Sequence, residues 1–361
     1  MELLVQPRDG LEPIRKAIKS ARRSLEIVIF RMDRPELHEA LVEAVQRGVT
    51  VTALIAFTNR GGQKELRKLE SDLLANGITV ARTADDLVRY HGKMMLIDRK
   101  ELYVLSFNFI SLDFRSRGFG LLTRNPRLVQ EAADLFDADA KRQPYRPGKT
   151  KLVVSPVNAR KSLSAFLRQA RKELLIYDLK VTDAEILQVL HERAKAGVKI
   201  RILGQVKSDR LKSVPFRSMR LHARAIIRDR SEAFIGSQSL RKLELDARRE
   251  IGVIFRGRSA INALLRYFKK DWQENAGKSK RDSKTAIPLK KAAKKVARRV
   301  TRNLPVAPIV HQVVKAVSKK ASTKRRRKVD KKLKSAMKKA VKQTVREATK
   351  EALADMVEQV A

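Results

Sequence analysis

The chain has 361 residues, with 81 Lys or Arg against 39 Asp or Glu and a formal charge of +42. It contains no cysteine, which excludes a disulfide scaffold, a zinc–thiolate site, an iron–sulfur cluster and a cysteine nucleophile. A hydrophobic share of 43% supports real cores, the length suits about two domains or two domains and a tail, and the charge points to polyanionic partners.

The opening segment MELLVQPRDG has no basic stretch followed by an apolar one, so no signal peptide is expected. No window approaches about 18 uninterrupted apolar residues, so no membrane span is expected either. The absence of cysteine fits a reducing cytosol. The expected location is cytoplasmic, peripheral on the inner face of the membrane or associated with the nucleoid.

Periodicity predicts a basic amphipathic helix from Pro13 to Ser20, an apolar strand from Leu25 to Phe30 and a helix from Arg34 to Gln46 stopped by Gly48. A β-branched strand from Val49 to Phe57 follows. Next comes His91-Gly92-Lys93, then four residues, then Asp98, and eight residues later Ser106, Phe107 and Asn108.

The chain then repeats itself. Ala21-Arg22-Arg23 and Leu25-Glu26-Ile27 line up with Ala170-Arg171-Lys172 and Leu174-Leu175-Ile176 at an offset of 149. The same offset carries Glu36 to Glu185, Leu41 to Leu190, Gly48 to Gly197 and Val49 to Val198. The second copy predicts a helix from Ser162 to Arg171, a strand from Leu174 to Leu179, a helix from Asp183 to Ala196 and a strand from Val198 to Leu203. His222-Ala223-Arg224 and Asp229 repeat the motif at an offset of 131, followed by Ser237, Gln238 and Ser239. The fold class expected is α/β: two duplicated halves facing each other, followed by a basic, partly helical C-terminal tail. The expected boundaries are 1–145, 146–275 and 276–361.

Composition breaks just after Trp272. From Gly277 to Ala361 there are 27 Lys or Arg against 6 Asp or Glu, half of the whole charge excess, and no aromatic residue. Apolar residues recur at helical spacing through Leu289, Ala293, Val296 and Val300, and again from Met337 to Val360. Pro305 and Pro308 separate these stretches, and Lys324 to Lys328 is a continuous basic run. The tail reads as a non-specific anchor for an anionic membrane surface or nucleic acid, or as a solvated segment without a specific ligand.

Residues i and i+2 of a strand share a face, so His91 would stand beside Lys93 and His222 beside Arg224. An imidazole next to a fixed cation is a poor metal site and a good phosphate site. The cation neutralises an oxyanion while the imidazole attacks or donates a proton. Ser106, Asn108, Ser237 and Ser239 are short hydrogen-bonding residues suited to non-bridging phosphoryl oxygens. His38, His191 and His311 lie in helical or tail contexts and read as surface or packing residues.

These residues resemble the phospholipase D superfamily, whose signature is His-x-Lys-x4-Asp followed by Gly-Ser-x-Asn. The string Ser106-Phe107-Asn108-Phe109, Leu112-Asp113, Ser116-Arg117, Phe119-Gly120 is similar to the cardiolipin-synthase-like branch. The resemblance covers roughly residues 1–275 and implies α/β/α sandwich halves. It also implies a metal-independent phosphodiesterase without cofactor, working through a covalent phosphohistidine. On the matching positions His91 is the nucleophile and His222 the acid/base. Lys93 and Arg224 hold the phosphate with help from Ser106, Asn108, Ser237 and Ser239. Asp98 and Asp229 are structural or orienting supports, and Glu250 holds a histidine by its other ring nitrogen. Arg224 departs from the motif lysine, Ser239 from its asparagine and Leu105 from its glycine. Gly118 matches Glu250 in the first half, so one histidine is expected to lack an orienter.

The implied substrate is a phospholipid, by hydrolysis or transfer of the phosphatidyl group. The alternatives are a non-specific nuclease and a catalytically weak polyanion-binding protein. The lipid reading expects apolar surface at the pocket mouth from Phe107, Phe109 and Phe114, for which strand core is the plainer account. The oligomeric state is left open; both motifs lie on one chain, so a monomer could be active.

Overall fold

A computed structural model describes residues 1–57 and 63–276. The helical stretches, prolines and anchoring role expected of the tail, and His311, lie outside the described residues. The first half runs β1 (Glu2–Gln6), α1 (Glu12–Ser20), β2 (Ser24–Ile29), α2 (Pro35–Gln46), β3 (Thr50–Ile55), α3 (Gln63–Ala75) and β4 (Thr79–Arg82). It continues with β5 (Arg89–Tyr90), β6 (Met94–Ile97), β7 (Glu101–Leu105), α4 (Ser111–Phe114), β8 (Gly118–Thr123) and α5 (Pro126–Ala140). The second half runs β9 (Leu152–Val154), α6 (Ala159–Arg168), β10 (Glu173–Val181), α7 (Ala184–Lys195), β11 (Lys199–Val206) and β12 (Ser213–Val214). It closes with β13 (Ala225–Arg228), β14 (Glu232–Gly236), α8 (Lys242–Asp246), β15 (Arg248–Arg249), β16 (Ile251–Phe255) and α9 (Arg258–Ala276).

The expected duplication is present strand by strand. One sheet has the order β1-β8-β7-β6-β2-β3-β4 and the other β9-β16-β14-β13-β10-β11-β12. In each, two central strands run parallel, Leu25 opposite Val51 and Leu174 opposite Ile200. Parallel neighbours need a crossover, which α2 and α7 supply. The central strands are apolar almost throughout, because helices or the opposite half cover both faces. On α1 the buried residues Ile14, Ala17 and Ile18 follow helical spacing. Asp183 caps α7 by accepting from the Ile186 N–H at 3.1 Å.

The two halves are not independently closed. Val104, Phe119 and Leu121 of the first half share one buried cluster with Tyr177, Ile227, Ile235 and Val253 of the second. Phe136 of α5 and Phe268 of α9 fill the same cluster. Each sheet buries its other face separately, Ile18, Leu25 and Leu41 in the first half and Phe166, Ile176 and Leu190 in the second. Residues Met1–Gly277 therefore form a single compact unit. Sharing a core is what sets the two motifs against each other.

Candidate active site

Each motif spans the end of one strand and the turn after the next. Asp98 and Arg99 have φ of 52° and 49°, and Asp229 and Arg230 have φ of 50° and 58°. Asp tolerates this left-handed backbone better than most residues. The Asp98 Oδ1 also accepts the backbone N–H groups of Arg22, Arg23 and Ser24 at 3.1, 2.7 and 3.0 Å. Asp229 does the same for Arg171, Lys172 and Glu173 at 2.9, 2.7 and 2.9 Å. Partial burial pushes both carboxyls up, but the three backbone donors outweigh it and hold them below the usual range. The structure thus places both aspartates at the hairpin turns, bracing the start of the neighbouring strand, and not among the histidines. Asp98→Ala is expected to lower stability by about 1–3 kcal/mol, as orphaned backbone donors do. The per-molecule activity of the folded fraction should be unchanged, and urea denaturation combined with activity on the same samples checks both.

The histidines hang on the opposite half. Arg89 and Tyr90 of β5 pair in parallel with Arg248 and Arg249 of β15, and Arg117 bridges to Leu221. The His91 N–H donates to the Arg249 carbonyl at 2.7 Å, and the His222 N–H donates to the Arg117 carbonyl at 2.9 Å. Both carriers are anchored by buried ion pairs. Arg117 holds Asp271 of α9 through two bonds of 2.8 Å, and Arg249 holds Asp139 of α5 at 3.0 Å. A side chain at Gly92 would place its Cβ 2.5 Å from Ile251 Cδ1, so the glycine permits this close approach of the halves.

Side chains complete the pattern. His91 Nδ1 lies 2.9 and 3.1 Å from the two carboxylate oxygens of Glu250, which has no exposed surface. His222 Nδ1 lies 3.1 Å from Oδ2 of Asp113, equally buried, with a poorer hydrogen-bond angle. Lys93 Nζ donates to the His91 carbonyl at 2.6 Å, and Arg224 to the His222 carbonyl at 2.9 Å. The expectation that Gly118 leaves one histidine without an orienter is therefore corrected. The second carboxylate comes from α4, and its counterpart in the repeat, Glu244, pairs instead with Arg241 and Arg248.

Burial and neighbouring cations set the charges. Burial, then Lys93, Arg224 and His222, hold His91 well below the usual imidazole range. Burial lowers His222 to about 4 against the pull of Asp113. Burial also lowers Lys93 to about 7, opposed by Glu250. The Glu250 carboxyl is pushed up by burial, whereas Asp113 is held down because His222 and Arg220 outweigh its burial. Both rings are thus neutral near pH 7, and with a carboxylate at Nδ1 the ring nitrogen open to chemistry is Nε2.

The four small polar residues are engaged with the protein. Ser106 Oγ accepts from the Phe119 N–H at 2.9 Å, and Ser237 Oγ accepts from the Ile251 N–H at 3.1 Å. Asn108 Nδ2 donates to Asp113 Oδ2 at 2.7 Å, and Ser239 Oγ donates to Asp178. These residues hold the carriers of the site and direct Asp113. Phe107, Phe109 and Phe114 are core residues 0%, 1% and 6% exposed, so they form no apolar mouth. They sit inside because their segment packs under its own sheet, with Phe107 and Phe114 in edge contact at 5.7 Å. His38 and His191 sit on α2 and α7, outside this cluster.

Sequence reasoning missed Asp113, Arg220 and Phe30. Asp113 lies five residues after Asn108, but no spacing within one chain says that it serves a histidine 109 positions away. Arg220 Nη1 donates to the other oxygen of Asp113 at 2.6 Å. Phe30 had read only as the last apolar residue of a strand.

The family described as "Cardiolipin synthase, PLD-like domain" matches residues 14–140 and 163–272. Polyphosphate kinase of Pseudomonas aeruginosa is 25% identical over 251 residues, covering 62% of this chain and 36% of that protein. The chain thus spans about a third of the length of this curated relative. Among solved structures, polyphosphate kinase from Porphyromonas gingivalis has a TM-score of 0.64 at 18% identity, over 74% of this chain and 46% of that one. Phosphatidylserine synthase from Haemophilus influenzae Rd KW20 has a TM-score of 0.59 at 8% identity, over 76% and 86%.

Proposed function

We propose that this chain, which belongs to the cardiolipin synthase, PLD-like domain family, cleaves or transfers a phosphate ester through a covalent phosphohistidine on His91. The observation carrying this reading is the pair of neutral histidines, each with Nδ1 on a buried carboxylate and each beside a buried cation. His91 Nε2 attacks phosphorus while Lys93 and Arg224 hold the non-bridging oxygens. As substrate binds, His222 takes a proton from solvent at Nε2 and becomes the imidazolium; the bond from phosphorus to the leaving oxygen then breaks, and His222 gives that oxygen this proton. His222, again neutral, takes a proton from water or an acceptor hydroxyl. That oxygen attacks phosphorus, the P–N bond breaks and His91 is restored.

The division of roles follows from the carboxylates. Asp113 is firmly ionised beside His222 and stabilises the imidazolium an acid must be. A bound phosphate adds negative charge between the cations, which raises the affinity of His222 for its proton. His91 has the better-aligned carboxylate, and burial with its neighbouring cations keeps its ring neutral, as a nucleophile requires.

For substrate we favour a chain of linked phosphates, either nucleic acid or polyphosphate. Arg31, Arg89 and Lys93 cluster about one ring beside His91, and Arg220 and Arg224 lie on the His222 side. The expected apolar mouth for a lipid finds no support in Phe107, Phe109 and Phe114. The phospholipid remains the second reading, favoured by the description of the family. Among the described residues no helix is long and apolar enough to cross a membrane. In either reading the segment 276–361 serves as a polyanion anchor. The test is turnover in EDTA on plasmid DNA, polyphosphate with a nucleoside diphosphate acceptor, and phosphatidyl vesicles in parallel, with His91→Ala as control. Turnover confined to vesicles would reverse the choice of substrate.

The pH dependence is also specific. The cation of Lys93 is lost as pH rises through about 7 in the free protein, so kcat/KM should fall there. Lys93→Arg keeps its charge at any working pH. The variant should turn over more slowly and have its alkaline limb moved up by more than about one pH unit. An unmoved limb would assign it to another group.

A further inference from the structure

We propose that Phe30 is a positioning residue for this reaction: its ring walls the His91 imidazole and gathers three cations, from two segments, beside the phosphate position. The inference rests on the reading of His91 and Lys93 given above. Phe30 follows directly after β2 and is 5% exposed. Its ring meets the His91 ring at a centroid distance of 4.6 Å and an interplanar angle of 78°. Lys93 Nζ, Arg89 Cζ and Arg31 Cζ lie 5.4, 5.5 and 5.6 Å from its centroid.

Two physical needs meet at this ring. Glu250 fixes His91 at Nδ1 but leaves the imidazole free to swing about that bond. An edge-to-face neighbour removes this freedom and keeps Nε2 aimed. Arg89 and Lys93 also repel each other before any phosphate arrives, and Arg31 brings a third cation to the same ring. The negative face of an aromatic ring offsets part of that repulsion without adding a carboxylate that would compete with substrate. An aliphatic residue of similar size would fill the space and supply neither effect. At the repeat offset of 149 the matching residue is Leu179, so the device belongs to the His91 side. Lys93 also faces Arg89 and Arg224, which lower its affinity for a proton, and Glu250 and Asp113, which raise it. Removing the ring therefore tilts that balance toward the neutral amine.

The test uses the full chain with Phe30→Leu and Phe30→Tyr, both checked for unchanged thermal denaturation. Binding of inorganic phosphate is measured by calorimetry, and turnover of bis(4-nitrophenyl) phosphate across pH. Phe30→Leu should bind phosphate about tenfold more weakly and lose about 10- to 100-fold in kcat, as a misaimed nucleophile does. Its alkaline limb should move to lower pH. Phe30→Tyr should stay within about threefold of the parent in both, since it keeps the ring. Phe30→Leu binding phosphate as tightly as the parent, with an unmoved limb, would overturn the role, as would Phe30→Tyr failing as badly as Phe30→Leu. A parent chain that binds phosphate without turnover would overturn the reading of the histidines instead; weakened binding in Phe30→Leu would still support the cation-gathering role. A parent that binds no phosphate would overturn both.

Discussion

His91→Ala is expected to abolish the covalent intermediate and lower turnover by about 10⁴-fold or more, the scale of removing a nucleophile from a cooperating set. No neighbour can take its place at phosphorus. Lys93 directs its amine to the His91 carbonyl at 2.6 Å, and the carboxylate of Glu250 faces Nδ1. His222→Ala is expected to differ in kind. It removes the proton donor and later the base, so an intermediate formed on a substrate with a good leaving group should persist. A phosphoramidate is labile in acid and stable in alkali, so quenching under the two conditions and mapping the modified peptide checks both variants. Phosphate trapped on His222 with His91 replaced would exchange the two roles.

Glu250→Gln and Asp113→Asn are each expected to cost about 10²- to 10⁴-fold, the range seen when a carboxylate that sets a catalytic tautomer becomes an amide. Both carboxylates are fully buried, so solvent cannot substitute for them. An amide turned to offer its N–H to Nδ1 would move the ring proton to Nε2. At His91 this blocks attack, and Glu250→Gln should slow formation of the intermediate. At His222 the amide withdraws the charge that stabilises the imidazolium, and its NH2 meets the Asn108 backbone and Nδ2 donors that Asp113 Oδ2 accepts. Asp113→Asn should therefore slow both proton transfers, with breakdown of the intermediate the more exposed step. Rapid quench followed by burst analysis separates the two variants. Equal slowing of a single step by both would show that the carboxylates do not serve different histidines.

Much of this was legible before any coordinates. Alternating periodicities placed β2, α2, β3 and their counterparts to within a few residues. The main displacement was α6, which begins at Ala159 and not Ser162. There Asn158 spends its side chain accepting from the Val154 N–H at 2.7 Å, and the helix starts immediately after it. The paired His-x-Lys and His-x-Arg spacings singled out the groups that the structure brings together. What spacing could not show is how the short polar residues are engaged with the protein. Ser106 and Ser237 look like phosphate ligands in a string of letters, but they follow buried strand ends, where backbone N–H groups need partners first.

The sequence by itself determined the duplicated α/β architecture, the two histidine motifs and the cationic character of the chain. Those properties are written in local periodicity, in one constant offset and in composition, all of which survive without knowledge of packing. Only the tertiary structure decided which carboxylate holds which histidine and which ring stands behind the nucleophile. Glu250 reaches His91 and Asp113 reaches His222 from positions that are not equivalents in the repeat. The contacts cross from one half to the other, and their pairing arises from the shared core that brings the halves together.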